Sequence, residues 1–218
     1  MPELFIITGS NGAGKSSLGA SYLPDGIKGN YPVFDGDKLF MSRQKELWAQ
    51  GIRANKEVRN LANEYVDKLF HDAVDAALQS NNHFAYEGHF TNDATWEIPD
   101  RFRQSGYKVN LIFMGLRDPE LSEMRVIDRS RIGGRYIPPP VIRDNFYGNL
   151  EKLDQYFVII DNLKILDSSG VSHILLAQFN KGELLESVAY DELPAWFTNG
   201  LPTLSGKIQH KVDLRDPE

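Results

Sequence analysis

Apolar residues recur along this chain in two rhythms. Short, nearly continuous runs read as buried strands: Phe5-Ile6-Ile7, Tyr31-Pro32-Val33-Phe34, Phe84-Ala85-Tyr86, KVNLIFMG over 108–115 and Leu163-Lys164-Ile165-Leu166. Between them the spacing changes to threes and fours. Val58, Leu61, Ala62, Tyr65, Val66, Leu69, Ala73, Val74 and Ala77 form one stripe and predict a helix over 56–79. Further helices are predicted from about Lys15, near 93–105, over 118–131 and near 140–155, and a hairpin around Asn180-Lys181-Gly182. Strands joined by crossovers long enough to hold helices predict an α/β fold: a three-layer arrangement with about five parallel strands and an antiparallel C-terminal addition. In such sheets ligands lie beyond the carboxyl ends of the strands.

The first strand end carries the strongest chemical signal. Gly9-Ser10-Asn11-Gly12-Ala13-Gly14-Lys15-Ser16, followed by Ser17, has P-loop spacing, in which backbone amides wrap a phosphate chain at a helix start. In that pattern Lys15 reaches the outer phosphates of ATP and the Ser16 hydroxyl sits on Mg2+. The expected architecture is therefore a P-loop kinase fold.

Bulk properties narrow the class. The 218 residues suit one domain spanning 1–218, and 41% hydrophobic content supports a core. A net charge of −6 argues against a nucleic-acid coat and requires any anion site to be local. There is no cysteine, hence no disulfide or thiolate metal site. No apolar run is long enough to span a bilayer, so a soluble cytoplasmic protein is expected, with no membrane partner. The five histidines lack metal-ligand spacing, and His89 reads as a hydrogen-bonded strand-end residue.

Three polar clusters follow predicted strands: Asp35-Gly36-Asp37, Glu87-Gly88-His89 and Asp167-Ser168-Ser169. Each has the composition of an ordinary turn, but together on one sheet edge they suggest a site. A small-molecule kinase needs a carboxylate to take the proton of the attacking hydroxyl and cations to neutralise the phosphoryl group in transit. Asp37 is the candidate base. Glu87 is the candidate for substrate hydroxyls or a water-mediated metal contact, with Thr91 beside it on the acceptor side. Of 12 arginines, six lie between 117 and 143: Arg117, Arg125, Arg129, Arg131, Arg135 and Arg143. Arg125 and Arg129 share a helix face, and Gly133-Gly134 with the prolines at 138–140 lets a lid over about 125–140 bring Arg135 onto bound nucleotide. Glu120, Glu123 and Asp128 are available to pair with several of these arginines. The segment 171–218 is expected to hold the hairpin and a tail.

The order GSNGAGKSS, FDGD, YEGHFT, RVIDRSRIGGRYIPPPVI and ILDSS resembles the zeta toxin family, P-loop kinases that phosphorylate UDP-N-acetylglucosamine. The resemblance runs to about residue 170. It implies that Lys15 and Ser16 bind ATP phosphates and Mg2+, that Asp37 is the catalytic base, that Glu87 contacts the sugar nucleotide, that Arg129 and Arg135 stabilise the transferring phosphoryl group, and that the Ser168 segment lies near the adenine. A further open reading makes the protein the toxin half of an operon pair, with a small antitoxin protein covering the site. Two alternatives remain at this point: a phosphotransferase acting on an antibiotic-type hydroxyl, and an ATP-binding regulatory protein without transfer activity.

Overall fold

The structure is a computed structural model, and it describes residues 1–213. The last five residues of the expected tail lie outside the described residues. Seven strands form one sheet in the order β2-β3-β1-β4-β5-β6-β7. They are β1 (Glu3–Gly9), β2 (Phe34–Asp35), β3 (Phe84–Glu87), β4 (Lys108–Gly115), β5 (Asn162–Asp167), β6 (Ile174–Asn180) and β7 (Glu183–Ser187). The first five are parallel, and β6 and β7 add antiparallel at one edge, as the apolar runs predict.

Parallel strands buried on both faces need apolar residues at every position. Leu4 to Ile7 of β1 and Leu111 to Met114 of β4 meet that demand, none being more than 5% exposed. Helices α3 (Asn55–Ser80), α4 (Glu97–Gln104), α5 (Pro119–Arg131) and α6 (Pro139–Tyr156) fall where the periodicity places them. The helix after the P-loop, α1 (Lys15–Leu18), is a single turn.

Three features differ from the pattern reading. A fourteen-residue helix, α2 (Gly36–Ala49), occupies a stretch that shows no apolar stripe, because only Phe40 and Leu47 are buried on it. Asp37 therefore lies in the first turn of a helix instead of closing a strand. Asp35 is the helix cap, its Oδ1 accepting from the Lys38 amide at 2.9 Å. The C-terminal segment is also structured, with α7 (Ala195–Gly200) and α8 (Pro202–Asp213) burying Trp196, Phe197, Leu201, Leu204 and Ile208. No helix among the described residues is long and apolar enough to cross a membrane.

Central β1 has β3 on one side and β4 on the other, so its C-terminal loop emerges mid-sheet. Register then sets what lies beside that loop. Ile7 pairs with Glu87, and Asp35 pairs with Glu87 from the other side, so the first two polar clusters leave neighbouring strand ends.

Candidate active site

The loop after β1 takes its shape from backbone constraints. Gly9 has φ +127°, and a Cβ there would lie 2.1 Å from the Met114 carbonyl oxygen, so no side chain fits. The Ser10 amide donates to Met114 O at 3.2 Å, and the Ser122 hydroxyl of α5 donates to Asn11 O at 2.6 Å. The amides of Gly14, Lys15 and Ser16 have no partner among the described residues. Unpaired amides at a helix start form a ready anion site.

Lys15 folds back on the loop, Nζ donating to Gly9 O and Ser10 O at 3.0 Å each. Burial lowers its pKa to about 8, with Arg129 acting in the same direction and the charges of Glu87, Asp37 and Asp35 opposing. Glu87 is pushed up to about 7, first by burial and then by a hydrogen bond with Asp35, against the Ser16 hydroxyl and Lys15. Ser16 Oγ donates to both Glu87 carboxylate oxygens, at 2.8 and 3.0 Å.

Facing this floor is the segment 132–138 between α5 and α6. It is anchored by Ile137, which is buried with Val126 and Ile142 in a small cluster of its own. Gly134 lies so close to α5 that a Cβ would meet Arg129 Cγ at 2.5 Å and Arg129 O at 2.9 Å. That approach aims the next residue inward. Arg135 Nη1 donates to Asp37 Oδ1 at 2.5 Å, and its guanidinium stacks 4.3 Å from the Phe40 ring centroid. Arg129 Nε is buried without a partner. A buried guanidinium donor left unpaired is costly.

One cavity of about 750 Å3 holds most of these groups. Its wall includes Asn11, Gly12 and residues 14–17 of the loop, together with Asp37, Glu87, Arg125, Arg129 and Arg135. Sequence reasoning missed the part of its wall formed by Asn63, Val66 and Asp67 of α3. Asn63 and Asp67 stand four apart on the apolar stripe helix, and that spacing was the available signal. A second cavity of about 420 Å3 shares Phe40 and Arg135 with the first and adds Lys45, Trp48, Arg59 and Tyr136.

Several expected site residues are placed elsewhere. Gly9, Ser10 and Ala13 lie beneath the loop, Ser10 and Ala13 each 1% exposed. Thr91 does not line either cavity; its Cβ lies 3.0 Å from where a side chain on Gly148 of α6 would begin. Ser168 is fully buried with its hydroxyl unpaired, and its neighbours are consumed by their own turn: Asp167 Oδ1 accepts from the Ser169 amide and hydroxyl at 2.9 and 2.5 Å, and Ser169 Oγ accepts from the Arg117 amide. Arg125 is in the wall, but its guanidinium donates to the carbonyls of Ser168, Ser169, Gly170 and Gly12 at 2.7 to 3.4 Å, tying that turn to the P-loop. Arg117, Arg131 and Arg143 form surface pairs with Asp118, with Asp128 and with Glu120 and Glu123.

A family model described as Zeta toxin matches residues 1–177. No curated protein matches the chain in sequence. Among solved structures the chain is similar to one from the AvrRxo1-ORF1:AvrRxo1-ORF2 complex with sulphate ions, at 14% identity and a TM-score of 0.67, covering 96% of this chain and 76% of that one. It is also similar to one from the PezAT chromosomal toxin–antitoxin system of Streptococcus pneumoniae, at 18% identity and a TM-score of 0.59, covering 98% and 88%. The AvrRxo1-ORF1:-ORF2 complex with ATP gives 16% and 0.64 over 85% of this chain and 60% of that one. At these identities the likeness is one of fold.

Proposed function

This chain belongs to the zeta toxin family of P-loop kinases, and from that premise we propose that it transfers the γ-phosphate of ATP to a hydroxyl of a nucleotide sugar, most plainly UDP-N-acetylglucosamine. The observation that carries the proposal is the ion pair of Asp37 with Arg135, in one cavity with Lys15 and Arg129. A carboxylate and mobile-charge cations converging beside a phosphate loop are the parts phosphoryl transfer needs.

In this reading ATP lies along the P-loop amides, and Lys15 leaves its two carbonyls for the phosphates. The acceptor hydroxyl takes the place of Arg135 on Asp37, which accepts its proton as the new O–P bond forms and the bond to the ADP oxygen breaks. Arg135, released, follows the moving phosphoryl group together with Arg129. Among the described residues there is no cluster of three or more His, Cys, Asp or Glu side chains set to hold a metal. The hard oxygen donors present, Ser16 Oγ with Glu87 behind it, fit Mg2+ carried mainly by phosphate and water oxygens. When bound, that ion would neutralise phosphate charge.

The second cavity supports the nucleotide-sugar class over an antibiotic acceptor. Lys45 and Arg59 suit an anionic group, and Trp48 and Tyr136, 39% and 60% exposed, offer ring faces to a planar one. The toxin–antitoxin setting of the Streptococcus pneumoniae relative extends the proposal to a small protein partner.

The test is incubation with Mg-ATP and a panel of nucleotide sugars, aminoglycosides and amphenicols, followed by mass spectrometry. A nucleotide sugar heavier by one phosphate is the expected product. Phosphorylation of an antibiotic instead, or ATP binding with no product from any acceptor, would overturn this assignment.

A further inference from the structure

Beside the P-loop, reaching the cavity wall at Asn11 and His89, runs a chain of polar side chains that the transfer chemistry above does not use. Asn149 of α6 is 1% exposed and Asn11 is 3% exposed, and His89 lies between them. Buried amides must be paired, and their pairing can be read atom by atom. Asn149 Oδ1 accepts from the Phe90 amide at 2.6 Å and from Thr8 Oγ1 at 3.2 Å. A backbone amide only donates, so the orientation of Asn149 is fixed. Its Nδ2 then donates twice, to Asn145 O at 2.5 Å and to His89 Nδ1 at 3.1 Å.

His89 Nδ1 is thus an acceptor, and the ring proton belongs on Nε2, which points at the Asn11 carboxamide 3.1 Å away. That proton calls for the amide oxygen of Asn11. Turning the Asn11 and Asn145 carboxamides, 2.9 Å apart, over as a pair gives that proton the Asn11 oxygen and lets Asn11 Nδ2 donate to Asn145 Oδ1. Asn11 is held from the other side as well, through its carbonyl, by Ser122. Asn11 of the phosphate loop is clamped between the segment after β3, α5 and α6.

We propose that His89 is a positioning residue: with Nδ1 accepting from Asn149 and Nε2 donating to Asn11, it holds the P-loop in the shape that binds ATP phosphates. The proposal rests on the kinase reading only in taking ATP as the ligand of this loop. Neither turn chemistry nor packing explains an unbroken line of four side chains from α6 to the phosphate loop, whereas a loop whose amides must all converge on one anion needs its free side held.

The test measures Mg-ATP affinity of the whole chain by calorimetry, with the melting temperature followed in parallel. His89→Ala strands Asn11 and a buried Asn149 donor and is expected to weaken ATP about tenfold. His89→Gln carries one acceptor and one donor and is expected to recover affinity to within about threefold of the parent, since the lost pairing is restored. Asn11→Ala combined with His89→Ala should weaken ATP no more than the stronger single change. Wild-type affinity in His89→Ala, or strictly additive losses with no recovery by Gln, would overturn the proposal. Should His89→Ala fail to fold, Asn145→Ala breaks the outer link instead: about threefold weaker ATP supports the proposal, and unchanged affinity overturns it. Protein that binds ATP and phosphorylates nothing defeats the nucleotide-sugar reading alone, because no acceptor enters this measurement.

Discussion

The two walls of the main cavity are built in different ways. On the P-loop side the working groups are backbone amides held by close fixed contacts: Gly9 against Met114 O, Ser10 on Met114 O, Asn11 O under the Ser122 hydroxyl. On the lid side they are side chains on helices and a connecting segment, with Asp37 and Arg135 still 40% and 34% exposed at the side chain. The first wall is preset for one chemical group, a phosphate. The second is more exposed, and in the proposed reaction its resting ion pair is the contact that the acceptor displaces. A phosphate donor is common to all kinases of this kind, whereas the acceptor distinguishes them, and rigidity is distributed accordingly.

The comparison is most sharply tested at Asp37. Asp37→Asn keeps the shape and removes the base, and kcat is expected to fall about 10²- to 10⁴-fold, or about 3–5 kcal/mol, with ATP affinity retained. Single-turnover kinetics with the identified acceptor would check it. On the opposite wall the effect should be on folding: Gly9→Ala drives a Cβ into the Met114 carbonyl and is expected to cost about 3 kcal/mol or more, read by urea unfolding. If Gly9→Ala were as stable as the parent, the preset character of the loop would be wrong.

Smaller effects sharpen the acceptor side. Lys45→Ala with Arg59→Ala should raise KM for a nucleotide sugar about tenfold and leave KM for ATP unchanged, since both cations lie in the second cavity. Glu87 joins the two walls, and its folded pKa of about 7 stands above the ordinary 4.5. The folded state therefore holds the extra proton between those values, and the stability this group contributes is full below about 4.5 and lost as pH rises through 7. Glu87→Gln should flatten that decline, visible as a smaller drop in melting temperature between the acidic and neutral ends of the window. Arg143→Ala removes surface pairs with exposed Glu120 and half-buried Glu123 and should change stability by less than about 1 kcal/mol by chemical denaturation.

Much of the sheet was legible because parallel strands buried on both faces leave continuous apolar runs, and α3 because one stripe of it is buried. Helix α2 was not, since just two of its fourteen residues are buried and its start is marked only by the Asp35 cap. The C-terminal helices carried a readable signal in Phe197, Leu201, Leu204 and Ile208, spaced four, three and four apart and all fully buried. Among the candidate groups, Asn11, Gly12, Gly14, Lys15, Ser16, Ser17 and Asp37 gather in one cavity with Glu87, Arg125, Arg129 and Arg135, whereas Gly9, Ser10, Ala13, Thr91 and Ser168 do not line it. Turn-forming residues such as Asp167, Ser168 and Ser169 look alike in sequence whether they serve a ligand or each other.

What the sequence determined by itself was local: a glycine-spaced phosphate loop, strands and helices in alternation, and an arginine-rich connection. These follow from backbone conformation and periodicity, which neighbouring residues set. Tertiary structure decided which arginines face the cavity, that Arg125 binds carbonyls while Arg135 meets Asp37, and that His89 spans Asn11 and Asn149. Those partners are 43, 98, 78 and 60 positions apart in the chain, and only the register of β2, β3 and β1 with the packing of α5 and α6 brings their donors within reach of their acceptors.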